Sequence, residues 1–223
     1  MIDYERPRRA MICSQLRPNH VTDRRLLTVM GALPREAFVP AGKRSLAYMD
    51  EGVEVWPSID GAPARFLLAP MVLARLIQLA AIGEDDTVLD VGCATGYSTA
   101  VLARLARSVI GLEAEPELAA AAKATLQELA IANARIVTGP LNQGHAETGP
   151  YDVILLNGSV PEVPKTLTAQ LKQEGRLVAV VANGIQGKGT LFFRTGDEAS
   201  GLPHFDAGAK PLPGFAPEPC FIF

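Results

Sequence analysis

The stretch that most constrains this chain runs from Thr87 to Ser98, because it combines a strand, a tight turn and the start of a helix. A short apolar run that contains Asp90 predicts a buried strand, and strong helix formers from Tyr97 to Ala106 predict a helix. Between them lie the residues of a glycine-rich turn, Gly92, Ala94 and Gly96. Because glycine has no side chain, backbone amides and the helix N-terminus can approach a ligand closely there.

A second predicted strand places a carboxylate beside this turn. Ser108–Leu112 is followed by Glu113, 21 positions after Gly92. In a strand-helix-strand unit, an acid at this distance accepts the hydroxyls of a ribose. The final glycine of the dinucleotide fingerprint is missing, which argues against a dinucleotide. The turn and Glu113 together favour a nucleoside held at the carboxyl ends of parallel strands. The alternative is a Rossmann-like core in which Glu113 is simply solvated.

Composition excludes several classes of protein. The 223 residues suit one large domain with room for an appended subdomain, and 48% hydrophobic with 20% charged residues suits a soluble globular protein. The net charge of −3 argues against nucleic acid as the main partner. No apolar run approaches the ~18 residues of a membrane helix. The cysteines are odd in number and far apart, which favours a reducing cytoplasm and indicates neither a disulfide framework nor a metal site.

The chain is predicted to form three parts. Residues 1–60 form an N-terminal helical subdomain, since apolar residues recur at helical spacing and Asp23 or Thr22 can cap its second helix. Residues 61–195 form the α/β core. Residues 196–223 are rich in proline and phenylalanine, so we expect an extended tail whose aromatic side chains dock on the core.

The remaining elements of the core follow the same α/β pattern. We predict strands at 134–138, 151–156 and 175–182, helices at 118–129 and 166–173, and a closing hairpin. Asn157 follows the strand at 151–156 directly, at the edge where open α/β sheets bind ligands. Three scattered histidines give no ligand set for a metal.

Several motifs resemble one known family. The N-terminal run S-Q-L-R-P-N-H-V-T-D-R-R-L-L, the continuation L-P-R-E-A-F-V-P, the loop D-V-G-C-A-T-G-Y-S and the strand end G-L-E-A-E-P-E-L-A are similar to the protein-L-isoaspartate O-methyltransferase family. So are P-Y-D-V-I-L-L, P-E-V-P and L-K-Q-E-G-R-L-V-A-V-V further along. The resemblance covers about residues 9 to 195, and its N-terminal block is more specific than the glycine loop.

The resemblance implies a Rossmann-like, seven-stranded methyltransferase fold with S-adenosyl-L-methionine as cofactor and a protein or peptide as substrate. It implies methylation of isoaspartyl carboxyl groups in damaged proteins. A carboxylate is already ionised at pH 7, so no general base is required and no catalytic residue is predicted. The loop shapes the methionine pocket and Glu113 binds the ribose. The predicted cofactor-binding residues are Asp90, Gly92, Cys93, Ala94, Gly96, Glu113, Ala114, Leu141 and Asn157.

Two segments depart from the family pattern. Where the family has a threonine-isoleucine-serine segment before a proline, this chain has Phe66-Leu67-Leu68-Ala69 before Pro70. An apolar loop cannot donate hydrogen bonds to a carboxylate, so we expect little or no transfer to isoaspartyl peptides. Where relatives have Gly-Asp-Gly after the third strand, this chain has Gly139-Pro140-Leu141-Asn142, so adenine would rely on backbone groups, Asn142 or packing against Leu141.

These departures leave two alternatives open. The leading interpretation is a divergent S-adenosyl-L-methionine-dependent methyltransferase of this family. One alternative is a methyltransferase for a small apolar acceptor, and the other is a non-catalytic descendant that binds a protein partner through its helical subdomain and tail.

Overall fold

A seven-stranded mixed sheet forms the centre of the protein, seen here in a computed structural model that describes residues 3–59, 63–182 and 186–215. A separate antiparallel hairpin comprises β1 (Val53–Trp56) and β2 (Arg65–Leu67). The strands of the central sheet are β3 (Thr87–Val91), β4 (Ser108–Glu113), β5 (Ala134–Thr138), β6 (Tyr151–Val160), β7 (Leu171–Ala182), β8 (Gly187–Thr195) and β9 (Glu198–Ala207).

The order of the strands determines where the sheet has its switch point. It is β5-β4-β3-β6-β7-β8-β9, with β3 to β7 parallel and with β8 antiparallel to both of its neighbours. The order reverses at β3, whose neighbours are β4 and β6. A crevice forms at such a switch point, outside the carboxyl ends of the strands. The predicted Rossmann-like sheet of seven strands is confirmed.

Helices cover the sheet and build the N-terminal subdomain. They are α1 (Glu5–Ala10), α2 (Arg24–Ala32), α3 (Pro70–Ala80), α4 (Tyr97–Ala103), α5 (Pro116–Glu128) and α6 (Lys165–Thr168). A π-helical segment at Met11–Leu16 and a 3-10 turn at Arg17–Asn19 continue α1, and further 3-10 turns lie at Arg35–Phe38, Ala41–Leu46, Leu141–Gln143 and Ala146–Thr148. None of the helices in these described ranges is long and apolar enough to cross a bilayer.

The helix α2 in the N-terminal region begins where the sequence predicts it. The Asp23 carboxylate accepts hydrogen bonds from the backbone amides of Arg25 (2.8 Å) and Leu26 (3.1 Å), so Asp23 is the N-cap. Met11, Leu16 and Met30 are buried in one apolar core with α3 and the faces of β3 and β6. The subdomain is therefore continuous with the core of the sheet.

The predicted helix at 166–173 is wrong. The helix α6 ends at Thr168, and β7 begins at Leu171, which pairs with Tyr151. The amide of Tyr151 donates to the carbonyl of Gln170 at 2.8 Å, so backbone pairing with β6 ends the helix early. Burial of Leu171 in the sheet outweighs the helix propensity of this short segment.

The segment predicted as an extended tail starts with a strand of the sheet. Residues Glu198–Ala207 pair with β8 as β9, and Pro203 lies where the register shifts opposite Gly189 and Thr190. An edge strand tolerates proline at a bulge, because no partner there needs its missing amide. Phe205 is buried, and the Arg75 guanidinium of α3 lies 4.0 Å from its ring centroid. Residues 216–223 of the predicted tail lie outside the described ranges.

Candidate functional site

The turn after β3 is held against the end of β4 by backbone hydrogen bonds. The amides of Gly92 (2.8 Å) and Cys93 (3.1 Å) both donate to the carbonyl of Leu112. The turn reverses the direction of the chain through positive φ angles of 74° at Gly92, 50° at Ala94 and 92° at Gly96. Gly96 is the N-cap of α4. The turn has the strand-turn-helix form that the sequence predicts.

The Glu113 carboxylate points into this turn and is fully buried. One oxygen accepts the backbone amide of Ala94 at 2.7 Å. The other accepts the amides of Ala114 at 2.9 Å and Glu115 at 3.3 Å. The end of β4 and the glycine-rich turn are thus joined through one side chain, and Glu113 lies where the sequence places a ribose-binding acid.

A fourth donor to Glu113 is the guanidinium of Arg65, from β2. Its Nη1 forms an ion pair with Glu113 Oε1, and its Nη2 donates to the carbonyl of Gly92 at 3.1 Å. Both side chains are almost completely buried, at 3% and 0% exposure. A carboxylate has about four acceptor sites. Donors from the chain itself therefore crowd Oε1, whereas within the described part of the chain Oε2 accepts the Ala94 amide alone, and Arg65 occupies the side of Glu113 where the sequence predicts a ribose hydroxyl.

A C-terminal strap, residues 208–215, crosses the carboxyl ends of β3 and β6. The Leu212 amide donates to the carbonyl of Ser159 at 2.9 Å, and the Ser159 amide donates to the carbonyl of Lys210 at 2.9 Å. A Cβ built on Gly92 would lie 2.7 Å from Leu212 Cδ2, and one on Gly158 would lie 2.7 Å from Leu212 Cγ. The Leu212 side chain therefore fills the space directly above both glycines.

The cradle between Glu113 and the turn is closed by side chains of the protein in this structure. The donor set suits a nucleoside, because an acidic side chain at a strand end faces a turn of close backbone approach. The available space does not suit one, because Arg65 Nη2 and Leu212 Cδ2 lie 3.1 Å and 2.7 Å from a Cβ position at Gly92. A nucleoside enters this cradle only after both side chains move.

Asp90 is the second buried carboxylate of the site. Its Oδ2 accepts the hydroxyls of Ser98 (2.7 Å) and Thr99 (2.6 Å) from α4, and its Oδ1 accepts the amide of Asn157 from β6. Burial raises the pKa of Asp90 to about 6, although these three donors act to lower it. The predicted residues Asp90 and Asn157 are thus brought together, tying β3, α4 and β6 at the switch point.

Two further predicted residues are buried: the Cys93 side chain faces the interior, whereas Leu141 lies beside the cradle, with its Cδ1 3.5 Å from a Cβ position at Gly92. The thiol of Cys93 is 1% exposed, and burial raises its pKa well above the ordinary value. Leu141, expected beside adenine, is 2% exposed and packs in one cluster with Leu212 and Phe215 of the strap. Protein side chains therefore occupy the place where the sequence predicts adenine packing.

A pocket of about 350 Å³ adjoins the closed cradle. Its lining includes Arg65, Phe66, Leu67, Asn157, Lys210 and Leu212. Arg65 and Leu212 also contact Gly92, so they separate the pocket from the turn. The apolar segment Phe66-Leu67-Leu68 that departs from the family pattern forms one wall of this pocket.

Arg35 fixes the segment that leads into this wall. Its guanidinium is fully buried and donates to the carbonyls of Ala47 (2.6 Å) and Leu68 (2.7 Å). It also lies 4.6 Å from the ring centroid of Tyr97, at the start of α4. Burial lowers the pKa of Arg35 from its ordinary value. The helical subdomain, the wall and the glycine-rich turn are therefore joined through one side chain.

The residues predicted for the site do not include Arg65, Leu212 or Arg35. Arg65 is the charged residue of an otherwise apolar segment, 64–70, which is a signal that could have identified it. Leu212 lies among prolines without any periodic pattern, so only the path of the strap reveals its position.

Comparison with known proteins identifies relatives over most of the chain. The family model "Protein-L-isoaspartate(D-aspartate) O-methyltransferase (PCMT)" matches residues 6–200. A protein named protein-L-isoaspartate O-methyltransferase 2 from Anaeromyxobacter sp. is 40% identical over 78% of this chain and 69% of its own length. A protein-L-isoaspartate O-methyltransferase from Koribacter versatilis is 37% identical over 79% of this chain and 77% of its own length.

Solved structures give the same result for the fold. A protein-L-isoaspartate O-methyltransferase superposes with a TM-score of 0.81 at 25% identity, covering 93% of this chain, and the chain spans 66% of that protein's length. A Plasmodium falciparum protein provisionally assigned to the same activity, in complex with S-adenosyl-L-homocysteine, has a TM-score of 0.73 at 19% identity and covers 92% of this chain and 97% of its own. The resemblance noted in the sequence is confirmed.

Proposed function

The chain belongs to the protein-L-isoaspartate O-methyltransferase family, and we propose that it methylates a carboxylate of a protein or peptide. The cofactor is S-adenosyl-L-methionine, which supplies an electrophilic methyl group on a sulfonium. The observation that carries the proposal is the position of Glu113, buried at the end of β4 and bonded to the Ala94 amide of the turn.

The residues of this chain act by position and by exclusion of water. Glu113 and the turn from Gly92 to Gly96 provide the acceptors and the close backbone approach of a nucleoside site. Asp90 fixes the start of α4 through Ser98 and Thr99, so the turn keeps its form. An ionised carboxylate needs no base, and alignment of the two reactants accounts for most of the acceleration.

The acceptor pocket limits the rate. Its wall, Phe66-Leu67-Leu68, offers a carboxylate no hydroxyl, and one missing hydrogen bond to a charged group costs about 1.5–3 kcal/mol. We therefore expect transfer to isoaspartyl peptides to be slow, by roughly 10- to 100-fold for each lost hydroxyl. The volume of the pocket, about 350 Å³, suits a single side chain of the acceptor.

We also propose a cytoplasmic location. Cys13 and Cys93, the cysteines within the described ranges, are free thiols. Free thiols persist where glutathione and thioredoxin keep proteins reduced.

The experiment is calorimetric titration with S-adenosyl-L-homocysteine, followed by transfer of tritium-labelled methyl groups to an isoaspartyl peptide. Glu113→Ala is expected to abolish the heat of binding, whereas Glu117→Ala, an exposed acid in the first turn of α5, leaves it unchanged. Binding of equal strength by wild type and Glu113→Ala would contradict the proposal.

A second candidate function is favoured by the closed cradle. A non-catalytic protein that binds a partner through its helical subdomain has no need of an open nucleoside site. Absence of binding heat and of a thermal shift at about 1 mM ligand would favour this second function.

A further inference from the structure

Arg65 lies between two sites, and its partners among the described residues are all in one of them. Its guanidinium reaches the Glu113 carboxylate and the Gly92 carbonyl in the cradle. The same residue lines the adjoining pocket of about 350 Å³. A rotation of the Arg65 side chain, without movement of β2, would therefore move its positive charge from the cradle into the pocket.

Ribose hydroxyls and Arg65 compete for the same acceptor. Four donors surround Glu113, and three of them are backbone amides of Ala94, Ala114 and Glu115, fixed by the turn and the strand end. The Arg65 guanidinium is the one donor that a side-chain rotation can remove. Arg65 and the amides of Ala114 and Glu115 bond Oε1, whereas Oε2 accepts, from the residues that the structure describes, the Ala94 amide alone. A ribose whose two hydroxyls bond both oxygens of Glu113 must therefore displace Arg65 from Oε1.

A displaced Arg65 needs a new anionic partner, because a buried guanidinium without one is costly. The pocket wall from Phe66 to Leu68 offers none. Glu51 lines the pocket but is exposed, and Lys210 adds a second cation, its Nζ 5.7 Å from the Phe66 ring centroid. The charges lining this pocket suit an anion brought by the acceptor.

We propose that Arg65 couples the two sites. Without a nucleoside, Arg65 pairs with Glu113 and closes the cradle. When the hydroxyls of a nucleoside bond to Glu113, Arg65 turns into the pocket and binds the carboxylate of the acceptor. In this role Arg65 supplies the donor that the apolar wall lacks, so it determines specificity for an anionic acceptor. Leu212 closes the cradle with Arg65 but carries no charge, so it affects entry of the nucleoside and leaves the coupling intact. This inference rests on the proposed function.

The test is a linkage measurement by calorimetry with S-adenosyl-L-homocysteine, which binds without turnover. The affinity is measured alone, with a saturating isoaspartyl peptide, and with the same peptide carrying a carboxamide in place of the α-carboxylate. For wild type we expect the carboxylate peptide to tighten binding by about 5-fold or more and the carboxamide to have no effect.

Two variants separate the parts of the inference. Arg65→Gln removes the competitor for Glu113, so we expect about 10-fold tighter binding of S-adenosyl-L-homocysteine and no effect of either peptide. Leu212→Ala is expected to bind several-fold more tightly while keeping the peptide effect. Arg107→Gln, an exposed arginine paired with Asp85, is the matched control and is expected to behave as wild type.

The outcomes distinguish this inference from the proposed function. If no variant binds S-adenosyl-L-homocysteine, the proposed function fails. If wild type binds it with no peptide effect, or if Arg65→Gln keeps the affinity and peptide effect of wild type, the coupling is overturned. Should Arg65→Gln not fold, the wild-type and Leu212→Ala titrations with the two peptides still decide the matter.

Discussion

Two buried arginines near the site differ in what they bind. Arg35 donates to the backbone carbonyls of Ala47 and Leu68 and stacks near Tyr97. Arg65 pairs with the carboxylate of Glu113. Backbone carbonyls stay fixed once the fold has formed, whereas a carboxylate at a strand end can accept bonds from a ligand. Arg35 is therefore part of the scaffold, whereas a ligand can replace Arg65 as a partner of Glu113.

Removal of Arg35 should have the largest effect on stability. Arg35→Met leaves two buried carbonyls without a donor, so we expect a loss of about 2–4 kcal/mol in the free energy of unfolding, measured in urea. Arg44→Met, at an exposed position of the same subdomain, is the control and should change stability by less than about 0.5 kcal/mol. A loss for Arg35→Met as small as that of the control would show that Arg35 is not part of the scaffold.

Removal of Arg65 should lower the free energy of unfolding by less than removal of Arg35, and its effect should depend on Glu113. Arg65→Met leaves Glu113 with three backbone donors, so we expect a loss of about 2 kcal/mol. In a double-mutant cycle with Glu113→Gln, the coupling energy should be about 1–3 kcal/mol. Additive losses in urea unfolding would mean that the ion pair contributes nothing to closing the cradle.

Asp90 is a buried carboxylate whose partners among the described residues are neutral side chains, in contrast to Glu113 with Arg65. Its pKa of about 6 lies above the ordinary 3.8, so between these values the folded protein keeps a proton that the unfolded chain loses. Its contribution to stability therefore falls as pH rises through this window, by about 2–3 kcal/mol, and stays constant above pH 6.

The variant Asp90→Asn cannot ionise, so its stability relative to wild type should rise by that amount between about pH 4 and pH 7. Urea unfolding at several pH values measures this difference, with Asp85→Asn as the matched surface control. A constant difference between Asp90→Asn and wild type across this range would contradict the raised pKa.

The sequence predicts the parts of the site that depend on local pattern. The turn from Gly92 to Gly96 follows from residues that tolerate positive φ, and Glu113 follows from its spacing in the strand-helix-strand unit. Both lie in the structure where the pattern places them, because each depends on one continuous segment.

The missed features depend on contacts between distant segments. Arg65 and Glu113 are 48 positions apart, and Leu212 reaches Gly92 from the far end of the chain. The helix predicted at 166–173 failed for the same reason, since pairing of Leu171 with Tyr151 overrides local propensity. The turn and Glu113 together predict a cradle for a nucleoside, whereas its closure by Leu212 depends on the path of the strap.

The most direct test is a crystal structure of the protein with S-adenosyl-L-homocysteine. We predict the ribose hydroxyls on Glu113, the Arg65 guanidinium turned into the adjoining pocket, and Leu212 withdrawn from above Gly92. A complex in which Arg65 still pairs with Glu113 and the ligand lies elsewhere would contradict the assignment of this cradle as the cofactor site.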